Sequence, residues 1–429
     1  MKPVPLHLLP DTATVQADGS LAIGGCDVGE LAGRFGTPLF IYDEAHLRAR
    51  CAEAVAAFGP GRAYYATKAF LCTAMARLAY EEGMHLDVAS GGELYVALRA
   101  GVPANALAFH GNNKSLAELR MAITEGVRHI VVDSFDELDR LDSLHAEGLP
   151  APKVLARITP GVHAHTHEFI ATGQDDSKFG FNLGNGDAHK AVDRMRRSLS
   201  VQLEGVHCHI GSNVFEAGNF AKAAEVMAAF AMPLDLPELV LGGGLGVPYV
   251  QGEEAPSISQ WGNVLLDACQ ALGVRSNVCV EPGRSIVAGA AITLYTVGTV
   301  KHIPGVRTYV SVDGGMSDNP RPVLYGSGYE AFLARAVLAP RRRPQLHRQG
   351  AHVEGEVAGL DVVGHDHGGA VVVEHHLALV DHAVAVVVDA VRQFAVVELQ
   401  PEGAGRGQRR GVDRQLAVGR LEADRDRKS

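Results

Sequence analysis

Lys68 is where chemistry in this 429-residue chain is first to be sought. It lies in YYATKAF (64–70), among aromatic and small residues at the end of an apolar run. Partial desolvation there would lower the amine's pKa and leave a nucleophile able to condense with an aldehyde. A lone lysine is ordinarily a solvated surface amine, so the case rests on three further motifs. GGGLG (242–246) lacks side chains that would keep backbone N–H groups from a phosphate, although three glycines alone more often mark a flexible turn. EPGRS (281–285) presents Glu281, which could pair with an Arg or Lys or could hydrogen-bond a pyridine nitrogen and keep it protonated, making the ring an electron sink. Pro-Gly directly after this acid gives it a fixed direction. HCHIGS (207–212) places His207 and His209 on one face of a strand with Cys208 opposite. No Asp, Glu or third His at local spacing completes a metal site with them, and His209 suits a ring lying against a flat cofactor.

These residues need a frame. From about 62 to 281 the chain repeats a short β-branched run, a polar loop and an amphipathic stretch, the rhythm of βα units. Strands are expected at 62–67, 85–89, 106–110, 129–133, 154–158, 203–209, 239–242 and 277–281. Helices are expected at 71–82, 92–99, 116–124 and 220–231, where apolar residues recur every three or four positions. Eight parallel strands with crossover helices close most simply into a barrel, whose chemistry lies at the carboxyl ends of the strands and whose phosphate site is commonly shared by the seventh and eighth. Lys68, Asp87, Ser90, His110, Arg157, His209, Gly242, Gly243, Gly244 and Glu281 all fall at or just past such ends. The expected fold is therefore α/β: an eight-stranded parallel barrel plus a second, strand-rich domain built from both flanks. Residues 1–43, with a strand at 38–43, would join that second domain. Residues 44–288 would form the barrel, and 289–334, with strands at 292–300 and 308–313, would begin the C-terminal part.

Composition narrows the partners. With 47% apolar and 21% charged residues the chain is an ordinary globular protein. A net charge of −10 argues against nucleic acid or an anionic membrane as partner, since both require a basic face, and leaves small molecules. The amino terminus has no signal-peptide pattern and no window of about 18 apolar residues occurs, so the expected location is the cytoplasm. Cys26, Cys51, Cys72, Cys208, Cys269 and Cys279 show no CxxC or ligand spacing and read as reduced, inert thiols.

From Arg335 onward the texture changes. The last 95 residues lack Ile, Met, Asn, Thr, Tyr, Cys and Trp and contain thirteen Arg, an omission that natural domains seldom show. Runs at 369–373 and 383–388 could form strands. Translation in a wrong frame of a GC-rich gene is one account of this tail, and a diverged domain is the other. The histidines of HAHTHEF (163, 165 and 167) are expected in a loop rather than on a metal, and those at 365, 367, 375 and 376 follow from the tail's composition.

Taken in order, YYATKAF, DVASGGEL (87–94), HGNNKS (110–115), TGQDDSKFGF (172–181), HIGS, GGGLG, EPGR and GGMSDNPRPVLYG (314–326) resemble diaminopimelate decarboxylases, in the fold-type III family of pyridoxal-phosphate enzymes. The likeness runs from about 31 to 332. HGNNKS and NPRPVLY resemble that enzyme more than the ornithine or arginine decarboxylases; these and the racemases are the other enzymes of the scaffold.

The resemblance implies pyridoxal 5′-phosphate as cofactor, held by Lys68. It implies that His209 stacks on the ring, that Glu281 meets its nitrogen, and that Gly243, Gly244, Gly283 and Arg284 hold the phosphate with Ser212 nearby. Asp87 and Arg157 would lie near the cofactor. Arg284, Arg321 and Tyr325 would bind substrate, the guanidinium groups suiting carboxylates. The implied reaction takes meso-2,6-diaminopimelate to L-lysine and carbon dioxide. Lys68, His209 and Glu281 would be the catalytic set, without a metal. The family also implies a homodimer when the C-terminal domain is intact, with a Cys-Glu-Ser-Gly-Asp motif reaching the neighbour's site and supplying the proton donor. No cysteine follows Cys279 and no tyrosine follows Tyr329. Two readings stand: an active decarboxylase whose tail supplies substitutes, and a homologue that binds the cofactor with impaired turnover.

Overall fold

The computed structural model describes residues 6–162, 173, 177–335, 360–365, 368–373 and 383–386. Among them, eight short parallel strands pair in sequence: Tyr64–Ala66, His85–Val88, Leu107–Phe109, His129–Val132, Lys153–Thr159, Gln202–His207, Glu238–Val240 and Asn277–Cys279. A parallel bridge between Ala63 and Val280 closes the ring. Hydrogen bonds from Tyr64 N to Val280 O at 2.8 Å and from Val280 N to Arg62 O at 2.9 Å complete the ladder. A closed sheet leaves no unpaired edge, which suits strands that are mostly three or four residues long, only the fifth and sixth reaching seven and six. All eight expected strands are present. Phe181–Asn182 adds an unforeseen pairing along the fifth.

The strands alternate as their pleat requires. Tyr64, Ala108, Val131, Leu155, Val240 and Cys279 pack on one another inside the barrel. Their neighbours Tyr65, Phe109, Val132, Ala156, Leu239 and Val280 face the helical layer. Counting on by twos from the inner set reaches Lys68, His110, Asp133, Arg157, Gly242 and Glu281. The parity that fills the core at one end thus aims polar groups into the mouth at the other.

Three of the loops at the mouth end in a serine helix cap. Ser90, Ser115 and Ser134 accept hydrogen bonds from the backbone N–H of Glu93, Glu118 and Glu137, and Ser115 with Glu118 forms a full capping box. The helices Thr73–Glu81, Gly91–Arg99, Leu116–Glu125 and Ala217–Ala231 match the expected ones to within a turn. The helical layer closes too: Phe58 of helix Glu44–Phe58 and Phe220 of helix Ala217–Ala231 meet Trp261 edge-on, at 5.6 and 5.7 Å.

The two flanks meet as expected. Leu39–Tyr42 pairs antiparallel with Ala291–Ile303, Leu39 opposite Leu294, and Ala291–Ile303 also pairs with Arg307–Val312. Leu9, Leu21, Ile23, Ile41, Ile292, Leu294 and Phe332 form a separate apolar core there. The short N-terminal strands Thr14–Val15, Leu21–Ile23 and Cys26–Asp27 and the helix Val28–Phe35 had no sequence forecast. Of the tail, Leu360–His365, Gly368–Val373 and Ala383–Val386 form strands, near the two runs read as strand-like. The HAHTHEF histidines, and those at 367, 375 and 376, lie outside the described residues. No helix among the described residues is long and apolar enough to cross a membrane.

The far rim of the barrel carries its own titratable cluster. His129 Nε2 lies 3.0 Å from Glu204 and its Nδ1 lies 3.7 Å from Glu238, which also pairs with Arg128. Burial, aided by Arg128, pulls His85 down to about 4, and burial also lowers His129. Both rings are therefore neutral in the fold but take up protons when unfolded below about pH 6.5. The contribution of His85 to stability is complete above that pH and is lost as the pH falls toward 4, and that of His129 is lost in the same direction. The melting temperature is expected to drop steadily from pH 6.5 to 4.5, and His85→Leu is expected to flatten that slope; an unchanged slope counts against the assignment.

Candidate active site

Lys68 follows the first strand, in a tight turn, Thr67–Ala69. Thr67 Oγ1 donates to Asp87 O at 2.8 Å, which ties the turn to the second strand. The Lys68 side chain is 54% exposed, with Nζ 3.5 Å from Asp87 Oδ2. The amine stands half open at the mouth beside an acid, because its turn projects it past the last strand pairing. Asp87 itself is buried, and neither oxygen receives a hydrogen bond.

From Asp87 the polar groups run across the mouth. His110 Nε2 lies 3.6 Å from Asp87 Oδ1 and 3.0 Å from Glu281 Oε1. His207 Nε2 lies 2.9 Å from Glu281 Oε2. Glu281 is 4% exposed. Burial pushes its pKa up, yet the two imidazoles outweigh that and hold it well below the ordinary carboxylate range. Lys68 and Glu281 therefore occupy the same rim, joined through Asp87 and His110. His110, His207 and Glu281 bring three donor atoms within 4.8 Å of one another. Local spacing hid this group, since its members come from the third, sixth and eighth strands.

His209 lies past the sixth strand, its Nδ1 accepting from Gly243 N at 3.3 Å. Burial, then the nearby charges of Lys68 and Arg157, hold it well below its ordinary pKa, so it is a neutral ring. Arg157 Nη1 donates to Asp133 Oδ2 at 3.1 Å, and its guanidinium lies 4.3 Å from the Phe179 ring centroid. Asp133, which also accepts from Gly180 N at 2.7 Å, was not foreseen; its inward parity at the end of the fourth strand is the signal that marks it.

The glycine turns are tightly constrained. A Cβ on Gly243 would lie 2.0 Å from Glu281 O, and one on Gly244, whose φ is +108°, would lie 2.1 Å from Gly211 O. Gly283 packs on Ala66 and Ala69 at about the limit for a methyl. The seventh- and eighth-strand turns are thus neighbours, as expected, and offer bare backbone. Gly244→Ala is expected to cost about 1–3 kcal/mol through forced overpacking and to weaken cofactor binding in a fluorescence titration. Wild-type affinity in that variant would show that the turn does not form the cradle.

The expected substrate residues also converge. Arg284 donates to Tyr249 Oη at 2.7 Å and to Ser212 Oγ at 3.1 Å. Arg321, on the short helix Arg321–Tyr325, donates from Nε to Tyr329 Oη at 3.1 Å and lies 5.5 Å from the Tyr325 ring and 5.9 Å from the Tyr249 ring. Tyr249 links the two arginines and was not singled out in sequence. The described cysteines stay apart from this chemistry: burial pushes the Cys208 and Cys279 thiols up to about 12, as inert thiols require.

An amine beside a buried acid, a second acid held ionised, a flat neutral ring and a bare glycine cradle on one barrel rim define a pyridoxal-phosphate-dependent enzyme. The family model for the pyridoxal binding domain of pyridoxal-dependent decarboxylases matches residues 44–288. The chain is 46% identical over 343 residues to the diaminopimelate decarboxylase of Bacillus methanolicus, covering 76% of this chain and 79% of that one. It is 44% identical over 356 residues to that of Mycobacterium tuberculosis, covering 77% and 80%. The crystal structure of the M. jannaschii enzyme superposes with a TM-score of 0.74 at 29% identity, covering 88% and 87%. This chain belongs to the diaminopimelate decarboxylase family.

The residues present fit the cofactor. Three glycines leave a cradle that any Cβ would fill, and Asp87 presents two buried oxygens that no hydrogen bond occupies.

Proposed function

We propose that the protein removes one carboxylate of meso-2,6-diaminopimelate as carbon dioxide and releases L-lysine, using pyridoxal 5′-phosphate. The observation that carries this reading is the ionised, buried Glu281 on the same rim as Lys68. A solved relative at 29% identity, the M. jannaschii diaminopimelate decarboxylase, is in co-complex with L-lysine, which supports lysine as the product.

Bound here, the cofactor supplies an aldehyde for Lys68 and a cationic ring that draws electrons from the bond to the departing carboxylate. Lys68 would hold it through its amine. Glu281 would offer a negative charge to its ring nitrogen, His209 would offer a flat neutral ring, and the glycine turns with Gly283, Arg284 and Ser212 would hold the phosphate. Asp87 lies 3.5 Å from the Lys68 amine, and Arg157 is held by Asp133 as a supporting cation. Arg284, Arg321 and Tyr325 bind the substrate, whose carboxylates match two guanidinium groups. Residues 44–288 form the catalytic barrel, and 1–43 with 289–334 form the β domain that brings Arg321 to the mouth. The working unit is a homodimer in the cytoplasm.

Carbon dioxide release from meso-diaminopimelate, set against ornithine, arginine and lysine, tests the reading. Turnover confined to diaminopimelate supports it. Preference for another amino acid, or none in folded protein carrying cofactor, sinks it. The absence of any cysteine after Cys279 favours the impaired homologue as the second reading, and the same assay separates the two.

A further inference from the structure

The Glu281 carboxylate is gripped from two sides, with one ring nitrogen on each oxygen: His110 at 3.0 Å and His207 at 2.9 Å. The two rings meet edge to face at 5.0 Å, and all three residues are buried. They differ in their other contacts. His110 Nε2 stands between two acids, with Asp87 Oδ1 at 3.6 Å. Among the described residues His110 Nε2 makes no hydrogen bond, its approaches to both acids being ion-pair contacts, whereas His207 hydrogen-bonds Glu281 through Nε2 and its buried Nδ1 has no hydrogen-bond partner.

That orphan nitrogen decides the state of the ring. With its proton on Nε2, His207 donates to Glu281 and leaves only a lone pair unmatched; an imidazolium would bury an unpaired N–H donor at the full desolvation penalty. Burial pulls His207 below its ordinary pKa, His110 and Arg157 act in the same direction, and only Glu281 opposes them. The titratable groups facing this ring are thus Glu281, His110, Arg157 and His209. A neutral donor orients the acid without cancelling its charge. A permanent cation in the same place would satisfy Glu281 and remove the field that favours a proton on an incoming ring nitrogen.

We propose that His207 is a positioning residue, a neutral N–H donor that fixes the direction of Glu281 and reserves its negative charge for the protonated ring nitrogen of the cofactor. This inference rests on the functional reading above and adds to it the residue that sets the acid's aim. Its contact is with Glu281, through which it acts.

The test is a pyridoxal-phosphate titration of the full chain, followed by the bound cofactor's visible band between pH 6 and 9, with thermal melts as a check on folding. His207→Leu, similar in volume but without a donor, is expected to weaken cofactor binding roughly tenfold and to shift the pH midpoint of the band by about one unit. His207→Gln, which keeps an N–H, is expected to retain the wild-type midpoint. A Leu variant that matches wild type in affinity and midpoint overturns the proposal, as does a folded Gln variant that behaves like Leu. Should the Leu protein fail to fold, the Gln protein decides: a wild-type midpoint supports the proposal and a lost band overturns it. A wild-type protein with no Lys68-dependent band sinks the functional reading and this inference with it, whereas a normal band indifferent to residue 207 sinks only the inference.

Discussion

Replacing Lys68 by alanine is expected to abolish the visible band of bound pyridoxal phosphate and to lower carbon dioxide release by roughly 10³-fold or more, within the range of losing a positioned proton-transfer group and with loss of the covalent hold added to it. The fold should survive. The side chain is 54% exposed and its one ion-pair contact among the described residues is with Asp87 at 3.5 Å, so little packing is lost and an exposed substitution of this kind usually changes stability by about 0.5 kcal/mol or less. Lys68→Arg separates charge from chemistry: it keeps a cation beside Asp87 and cannot take the lysine's covalent role. The arginine protein should therefore lose the band as completely as the alanine protein. A band that persists in either variant would mean that some other amine holds the cofactor, and the assignment of the site would fall.

Glu281→Gln should give a different pattern. Size is kept while the charge is removed and one acceptor oxygen becomes an N–H donor, and kcat is expected to fall by about 10²–10³-fold, the range for losing one preorganised electrostatic partner. Cofactor should still load at high concentration, because Lys68 and the glycine turns are untouched. Stability should hold or rise, since a buried ion is costly to desolvate and Glu281 is 4% exposed. Gain or constancy in melting temperature with loss of turnover marks a residue kept for chemistry at a cost in stability. Steady-state rates and melts on one preparation measure both. If the Gln protein turned over at the wild-type rate, the electron-withdrawing role of the ring would not depend on this acid.

Much of this arrangement was legible before any coordinates. The eight strands were readable because each is a short apolar run ended by polar residues, and those ends placed Lys68, Asp87, Arg157, His209 and Glu281 at the carboxyl rim. The glycine turns were legible as motifs, and their neighbourhood followed from strand order in a closed barrel. What could not be read was which side chains touch across the mouth. His110 was noted at a strand end and His207 as the neighbour of His209, but neither was joined to Glu281. Nor did local spacing suggest that Tyr249 would stand between Arg284 and Arg321, or that Asp133 would hold Arg157.

The amino-acid sequence by itself determined the frame of this protein: local periodicity sets strand and helix, alternation sets which residues point inward, and serine caps set where three of the helices begin after their loops. The tertiary structure alone decided the charge state and aim of the central acid. Glu281 and His207 are 74 residues apart, and the strength of their interaction depends on distance and burial, quantities that arise only when the first and eighth strands close and exclude water from the mouth. Closure also set how far Lys68 is exposed, since a turn's projection past the last ladder bond is a property of the assembled ring and not of the residues beside it.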